Sequence, residues 1–419
     1  MKGINTILVI ILLAVMTGCG REGKQSIDDF ITVDVTKSYP KKELILQDLF
    51  DVEYILLETN DEFVFSGEVL DIGKEFILIK NVTRSNDGDI FIFDRTGKGV
   101  SKFNRKGQGP GEYASISKAF LDEDHKEIFV DEFQRNQIKV YDFSGKFKRE
   151  FQYKEGALYD KMLNYDRESF ICWNNSFTSS QRYKEEASKT SFFIVSKQDG
   201  SIIEEIEIPF EESIQYTDVL INGVSMYTVN SQDLQGNLQQ GNIQGVFPVI
   251  SAHAISIINS QGQWILAEAS VDTIYRYLPD HSKIPFMART PSIRSMNDPK
   301  IFLLPGVITD QYYFMQIFKK EYDFAARRTV PEIDLLYDRQ SKTLFEYIMY
   351  NDNYSDKRHV AMMGRSGSEN DKIAFWRVLE AYKLVEEYKE GKLKGQLKEI
   401  AAGLDEEANP VLMIAKSKK

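Results

Sequence analysis

Residues 105 to 113 read RKGQGPGEY and bring charge, backbone freedom and hydrogen-bonding side chains into one short stretch. Three glycines and a proline between Gly107 and Gly111 force a tight backbone. Its N–H groups could converge on an anion, with Arg105 and Lys106 supplying positive charge. The stretch is not a P-loop, since G-x-x-x-x-G-K-[ST] and a following helix are both missing. The same residues would also serve a crossing from the outer strand of one sheet to the inner strand of the next, where backbones approach closely. In either role Arg105, Lys106, Gln108, Glu112 and Tyr113 are the candidate ligand contacts.

Other chemistry-bearing residues are scattered. The four histidines, His125, His253, His281 and His359, show no i, i+2 or i, i+4 pair, so a metal site would need convergence of distant segments and none is assigned. A calcium held by backbone carbonyls and Asp would lack the D-x-D-x-D loop that usually marks it, so no cofactor is expected. There is no G-x-S-x-G nucleophile elbow, and the acidic runs Asp122-Glu123-Asp124 and Glu204-Glu205 read as solvated turns and strand edges. No catalytic residue is assigned. A net charge of −11 and a pI near 5.2 argue against nucleic acid as a partner, because phosphate binding needs a basic face.

The N-terminus is more specific. A short charged start, Met1-Lys2, precedes an apolar run from Ile7 to Val15 and then Met16-Thr17-Gly18-Cys19. This resembles a bacterial lipoprotein signal, with residues 1–18 removed and Cys19 carrying the lipid, although Met16 departs from the usual Leu. The apolar run is too short to span a bilayer, which needs about 20 residues. With Cys19 lipidated, Cys172 is the one thiol left; in SFICWNN it reads as a buried strand residue.

These residues must be positioned by strands. GDIFIFDRTGKGVSKFN recurs as NQIKVYDFSGKFKREFQ, so that Ile90, Asp94, Gly97 and Phe103 stand 48 positions before Ile138, Asp142, Gly145 and Phe151. Each copy reads strand, Asp-x-x-Gly-Lys turn, strand. A β repeat of this length predicts a propeller. Two four-stranded blades can be drawn over residues 67 to 153, and a third follows through IIEEIEI with the period stretched to 55. The phrase returns near Phe193, Ile274 and Ile333, which gives five blades by counting. Residues 19–50 read as tether and lead-in, 51–419 as one propeller domain, and the polar, Gln-rich stretch within 211 to 250 as a loop. Apolar spacings of three and four over 369 to 389 predict an amphipathic helix, part of a helical insertion at about 369–402. A β run at each end, 51–59 and about 410–416, predicts closure of the ring by the terminal strands.

RKGQGPGEY, EIFVDEFQRNQIKVYDFSGKF, YILLET, DTIYRY and NPVLMIAK together resemble the NHL-type repeat, and more closely the six-bladed β-propeller lipoproteins of the Bacteroidetes, over nearly the whole mature chain. The resemblance implies an all-β, six-bladed fold with a short C-terminal helical segment, the sixth blade coming from the termini. It also implies an outer-membrane or periplasmic location and no established activity. Asp272-Thr273-Ile274 is similar to the O-glycosylation motif of Bacteroidetes envelopes, with Thr273 as acceptor. The expected function is a non-catalytic, membrane-anchored binding or scaffolding module for a protein or glycan partner. The alternative is a lyase or hydrolase acting on glycan or peptide in the propeller channel. A third reading has the 213 to 250 insertion and the 369 to 402 helices docking a partner in an outer-membrane uptake complex.

Overall fold

The structure, a computed structural model, describes residues 30–81, 88–174, 190–211, 213–221, 224–225, 249–250, 256–260, 262–363 and 373–418. Strands Gly67–Ile72, Phe76–Asn81, Asp89–Asp94 and Gly99–Asn104 form blade 1. Blade 2 is Lys118–Asp122, Glu127–Glu132, Gln137–Asp142 and Phe147–Gln152. Blade 3 is Tyr159–Asn164, Ser169–Asn174, Phe192–Ser196 and Ile202–Ile206. The middle strands are buried on both faces by neighbouring blades, whereas outer strands such as Gly99–Asn104 alternate between exposed and covered positions. Continuous apolar runs in the first case and alternation in the second follow from that placement.

The repeated Asp-x-x-Gly turn joins third to outer strand and also joins blade to blade. Asp142 Oδ1 accepts the Ser144 and Lys146 N–H groups at 2.9 and 3.0 Å, as Asp94 does with Thr96 and Lys98 at 2.8 and 3.1 Å. Gly145, at φ +77°, lies against the Phe103 ring on the outer strand of blade 1, where a Cβ would overlap the ring. Gly200 meets Phe151 of blade 2 in the same way, and Gly97 meets the Leu56 carbonyl. The sequence repeat therefore encodes contacts between blades as well as the blades themselves.

Blade 4 comprises Ile257–Ser260, Gln263–Leu266, Thr273–Tyr277 and Lys283–Thr290. Blade 5 comprises Ile301–Ile308, Tyr312–Lys319, Ile333–Asp338 and Thr343–Tyr350. Residues 30 to 50, expected as a lead-in, belong to the ring instead. Ile31–Asp34 adds a fifth, parallel strand to blade 4, and Lys41–Ile45 does the same on blade 5. Val33 and Leu46 are fully buried, so this belt is held by the same apolar burial as the blades.

Blade 6 closes the ring from both ends of the chain. Phe50–Leu56 pairs antiparallel with Val411–Ser417, which pairs with Ile373–Leu379. One face, through Phe50, Tyr54, Met413 and Phe375, packs on Phe314, Leu336 and Tyr347 of blade 5. The other, through Ile55, Leu412, Ile414 and Trp376, packs on Ile77, Phe91 and Phe93 of blade 1. The helix expected from 369 is corrected here: Phe375 and Trp376 are neighbours buried on opposite sides of a sheet, which needs the period of two of a strand. Helix begins only at Ala381–Lys389, followed by Gly395–Ala402, and Leu384, Leu397 and Ala401 anchor the pair to blades 5 and 6.

Strand directions alternate within each blade, so the loop between second and third strands and the connector to the next blade leave from the same end. Departures from the repeat gather there. The two helices interrupt blade 6, and the ribbon Tyr322–Asp323 with Arg328–Thr329 interrupts blade 5. The connector from blade 3 to blade 4 carries a small sheet of Asp218–Ile221, Val224–Ser225 and Val249–Ile250. The Gln-rich residues 226–248, read as loop, lie outside the described residues.

Candidate functional site

RKGQGPGEY forms the connector from the outer strand of blade 1 to the inner strand of blade 2. One backbone N–H of the stretch meets an anion, and that anion is its own carboxylate: the Gly109 N–H donates to Glu112 Oε2 at 2.8 Å. A Cβ on Gly107 would overlap the same carboxylate, which explains a glycine there by close approach. Tyr113, expected as a ligand contact, is fully buried. Its hydroxyl donates to the Gly88 carbonyl at 2.6 Å and accepts the Arg105 N–H at 2.9 Å, and its ring packs edge-on against Tyr141. Arg105 Nε donates to the Gly145 carbonyl at 2.6 Å, toward the outer strands and away from the channel. Gln108 accepts from Arg135 at 2.6 Å, a contact between two loops of the same face. Lys106 is exposed, its N–H bonded to Asn104. These five residues build a junction, and Tyr113 is unavailable to a ligand.

The polar groups that do gather at the channel end come from the inner and second strands of blades 1 and 2 and the inner strand of blade 3. Lys118 opens the inner strand of blade 2 and pairs with Asp160 on that of blade 3 at 2.6 Å. On blade 1, Lys80 meets Glu68 at 3.3 Å and reaches the Ser117 carbonyl. Asp131 stands opposite Lys118 in the strand register and is almost wholly buried. The Tyr153 hydroxyl donates to Asp131 Oδ1, and Oδ2 has no hydrogen-bond partner in the protein. Burial pushes the Asp131 carboxyl up to about 6, against the hydrogen bond from Tyr153 and the charge of Lys118. Half-buried Lys161, beside Asp160, is pushed down to about 8 by desolvation and then by the Lys118 charge. The arrangement offers a carboxyl and an amine that both titrate near neutrality, at one mouth of the channel.

Sequence reasoning passed over this cluster. A signal was available in EIFVDE, all six residues of which are buried: an Asp and a Glu inside a fully covered strand need partners that a solvated edge would not. Glu132 finds them in the Ala114 N–H and Gln137.

The remaining candidates are dispersed. Thr273 begins a strand of blade 4, half-buried and paired with Ala288, while Asp272 accepts the Ile293 N–H at 2.7 Å. Cys19 and His253 lie outside the described residues. His125, His281 and His359 bond to Asp122, Glu204 and Asp334 at separate places in the ring. Among the described residues no group of three or more His, Cys, Asp or Glu could hold a metal ion. Cys172 is fully buried, and burial pushes its thiol well above the usual range. No helix among the described residues is long and apolar enough to cross a membrane.

Blades repeated around a channel and closed by strands from both chain ends define a six-bladed β-propeller. The chain belongs to the family described as a domain of unknown function, DUF4934, which matches residues 30–416. A protein of Bacteroides fragilis NCTC 9343 that bears the name exported protein superposes with a TM-score of 0.57 at 15% identity, over 93% of this chain and 100% of that one. A DUF4221 family member from Bacteroides vulgatus gives 0.41 at 8% identity, over 89% and 99% of the two chains. Virginiamycin B lyase from Staphylococcus aureus gives 0.34 at 11%, over 88% and 100%. At 15% identity the likeness to the first of these is one of fold. No curated protein matches the chain.

Proposed function

We propose that this propeller is a non-catalytic binding or scaffolding module of the bacterial envelope, tethered through lipid on Cys19, that takes a protein or glycan partner on its insertion-bearing face. The observation that carries the reading is the gathering on one face of every described interruption of the blade repeat: the helices of blade 6, the ribbon of blade 5 and the small sheet before blade 4. A repeat that is otherwise regular tolerates additions where they serve recognition, and loops held on a rigid ring suit that role. The same face carries the mouth of the channel with Lys118, Asp160 and Lys161, and it exposes Phe324 on the ribbon and Tyr382 on the first helix, each more than half accessible. Aromatic side chains at a rim of charge are common anchors of protein interfaces.

The experiment is affinity capture from the native envelope with the lipidated protein and with a Phe324→Ala/Tyr382→Ala variant of unchanged melting temperature. A partner held by the first and lost by the second supports the reading; capture indifferent to the substitutions contradicts it. The neutral-range pair Asp131 and Lys161 favours a second reading, a lyase or hydrolase acting on glycan or peptide at the channel mouth. Turnover that Asp131→Asn abolishes, with partner capture unaffected, would establish that reading over the first.

A further inference from the structure

The ribbon of blade 5 carries positive charge that the protein itself leaves unpaired. In place of a short loop between the second and third strands, Tyr322–Asp323 pairs antiparallel with Arg328–Thr329. The foot of the ribbon is fixed: Tyr322 packs against the cluster of Phe302, Phe318 and Leu220, and the Val330 N–H donates to the Glu321 carbonyl at 3.1 Å. Its tip is fixed as well, because Asp323 Oδ1 accepts the Ala325 and Ala326 N–H groups at 2.9 and 3.0 Å. The turn so formed presents Phe324, 58% exposed and set edge-on to Tyr322 at 5.1 Å, and then Arg327 and Arg328, both exposed.

Neither arginine has an ion pair or hydrogen bond among the described residues, although Asp323 stands opposite Arg328 in the ribbon register. The chain holds 63 acidic side chains against 52 basic ones, and cations elsewhere on the same face do find carboxylates. Arg294 meets Glu211 at 2.8 Å, Arg358 meets Glu387 at 2.7 Å and Lys389 meets Glu406 at 2.5 Å. Two guanidinium groups left over from that excess stand beside an exposed ring on an ordered turn. Protein interfaces use this combination for anchoring, since the ring buries apolar surface and the planar forks hold carboxylates by paired hydrogen bonds. A turn already ordered loses little freedom when it binds.

We propose that the ribbon takes a short acidic segment of a partner protein, with its carboxylates on Arg327 and Arg328 and an apolar side chain against Phe324. This gives a chemistry to the partner already proposed for this face and rests on that proposal. An anionic bilayer fits less well. A plane would also meet the exposed carboxylates of the neighbouring helices, Glu386, Glu390, Glu399 and Asp405, whereas a segment of a few residues meets the ribbon alone. An uncharged glycan would leave both arginine charges unpaired.

The test uses the whole chain and fluorescence anisotropy with defined probes. These are a labelled peptide of about twelve residues with Phe and Leu among its Glu, the same peptide with Gln for Glu, an oligogalacturonate, and vesicles of phosphatidylethanolamine with about one-third phosphatidylglycerol. The Glu peptide is expected to bind saturably and the Gln peptide at least about tenfold more weakly, with added salt narrowing the difference. Arg327→Gln/Arg328→Gln should lose the preference for Glu over Gln, while Phe324→Ala should weaken both peptides and keep it. All three side chains are exposed, so the melting midpoints should not move. Equal affinity for the two peptides, no saturation up to about 1 mM, a preference that survives the double substitution, or binding of oligogalacturonate or vesicles without binding of the peptide would overturn the inference. Envelope capture separates this failure from that of the broader proposal: a partner lost on Phe324→Ala/Tyr382→Ala but held by Arg327→Gln/Arg328→Gln keeps a partner on this face and overturns only its acidic segment.

Discussion

Replacing Ile414 by alanine tests whether the last strand locks the whole ring or decorates it. Ile414 is fully buried in Val411–Ser417 and packs with Trp376 of its own blade against Ile77, Phe91 and Phe93 of blade 1. The substitution removes three carbons, worth roughly 2.4 kcal/mol at about 0.8 kcal/mol each. The cavity left behind brings the cost to about 3–4 kcal/mol. In urea, with a slope of about 3 kcal/mol/M, the unfolding midpoint should fall by about 1 M. Ile203→Ala, on the outer strand of blade 3 at 58% exposure, is the control and should stay within about 0.5 kcal/mol. The three tryptophans, Trp173 on blade 3, Trp264 on blade 4 and Trp376 on blade 6, report different parts of the ring. Closure requires their transitions to coincide in the Ile414 variant, at a lower urea concentration. A midpoint no lower than that of the control, or a Trp376 transition that separates while the other two stay in place, would refute closure by this strand.

Three further outcomes follow from particular residues. Gly145→Ala should cost about 2–3 kcal/mol, since it adds a clash with Phe103 to the strain of φ +77°; Gly262→Ala, at φ +75° with nothing within 4 Å, should cost only about 1 kcal/mol, and equal losses on denaturation would sink the docking argument. Burial pushes the Asp71 carboxyl up to about 7 from an unfolded value of 3.8. Between these values the unfolded chain has released the proton that the folded one keeps, so stability falls as pH rises through this window and is flat outside it; the shift corresponds to a loss on the order of 4 kcal/mol. Asp71→Asn, which keeps an acceptor for the Leu121 N–H, should remove that slope from the difference between the two stability profiles, and parallel profiles would contradict it. Cys19→Ala should move the protein from the membrane to the soluble fraction, and persistence in the membrane would refute the lipid tether.

The local repeat was legible in the sequence because each blade is built from contacts close along the chain. The period of two, the Asp-x-x-Gly turn and the 48-residue spacing mark blades 1 and 2 strand by strand. The closing strand was legible too, as an apolar run at each end with no local partner. Residues 373 to 379 were not, because Phe375, Leu379 and Tyr382 happen to fall at helical spacing, and the choice between helix and strand is made by blades 1 and 5 pressing on opposite faces. Nor was the belt 31–45, whose short strands gain their partners from Met287–Thr290 and Glu346–Tyr350, more than two hundred and fifty residues away. The candidate site divides in the same way. RKGQGPGEY drew notice because its composition is local and unusual, yet its N–H groups are taken up inside the junction, that of Gly109 by Glu112 and those of Arg105, Gly107, Glu112 and Tyr113 by Tyr113, Gly109 and Arg105. The groups that meet at the channel mouth, Lys118, Asp131 and Asp160, carry no motif: register within blade 2 sets Asp131 opposite Lys118, and the angle at which blade 3 follows blade 2 brings Asp160 to Lys118. Sequence alone thus determined the repeating unit and its direction of closure. Tertiary structure decided which charges face one another, since burial and inter-blade distance, which set both pairing and pKa, are properties of the closed ring.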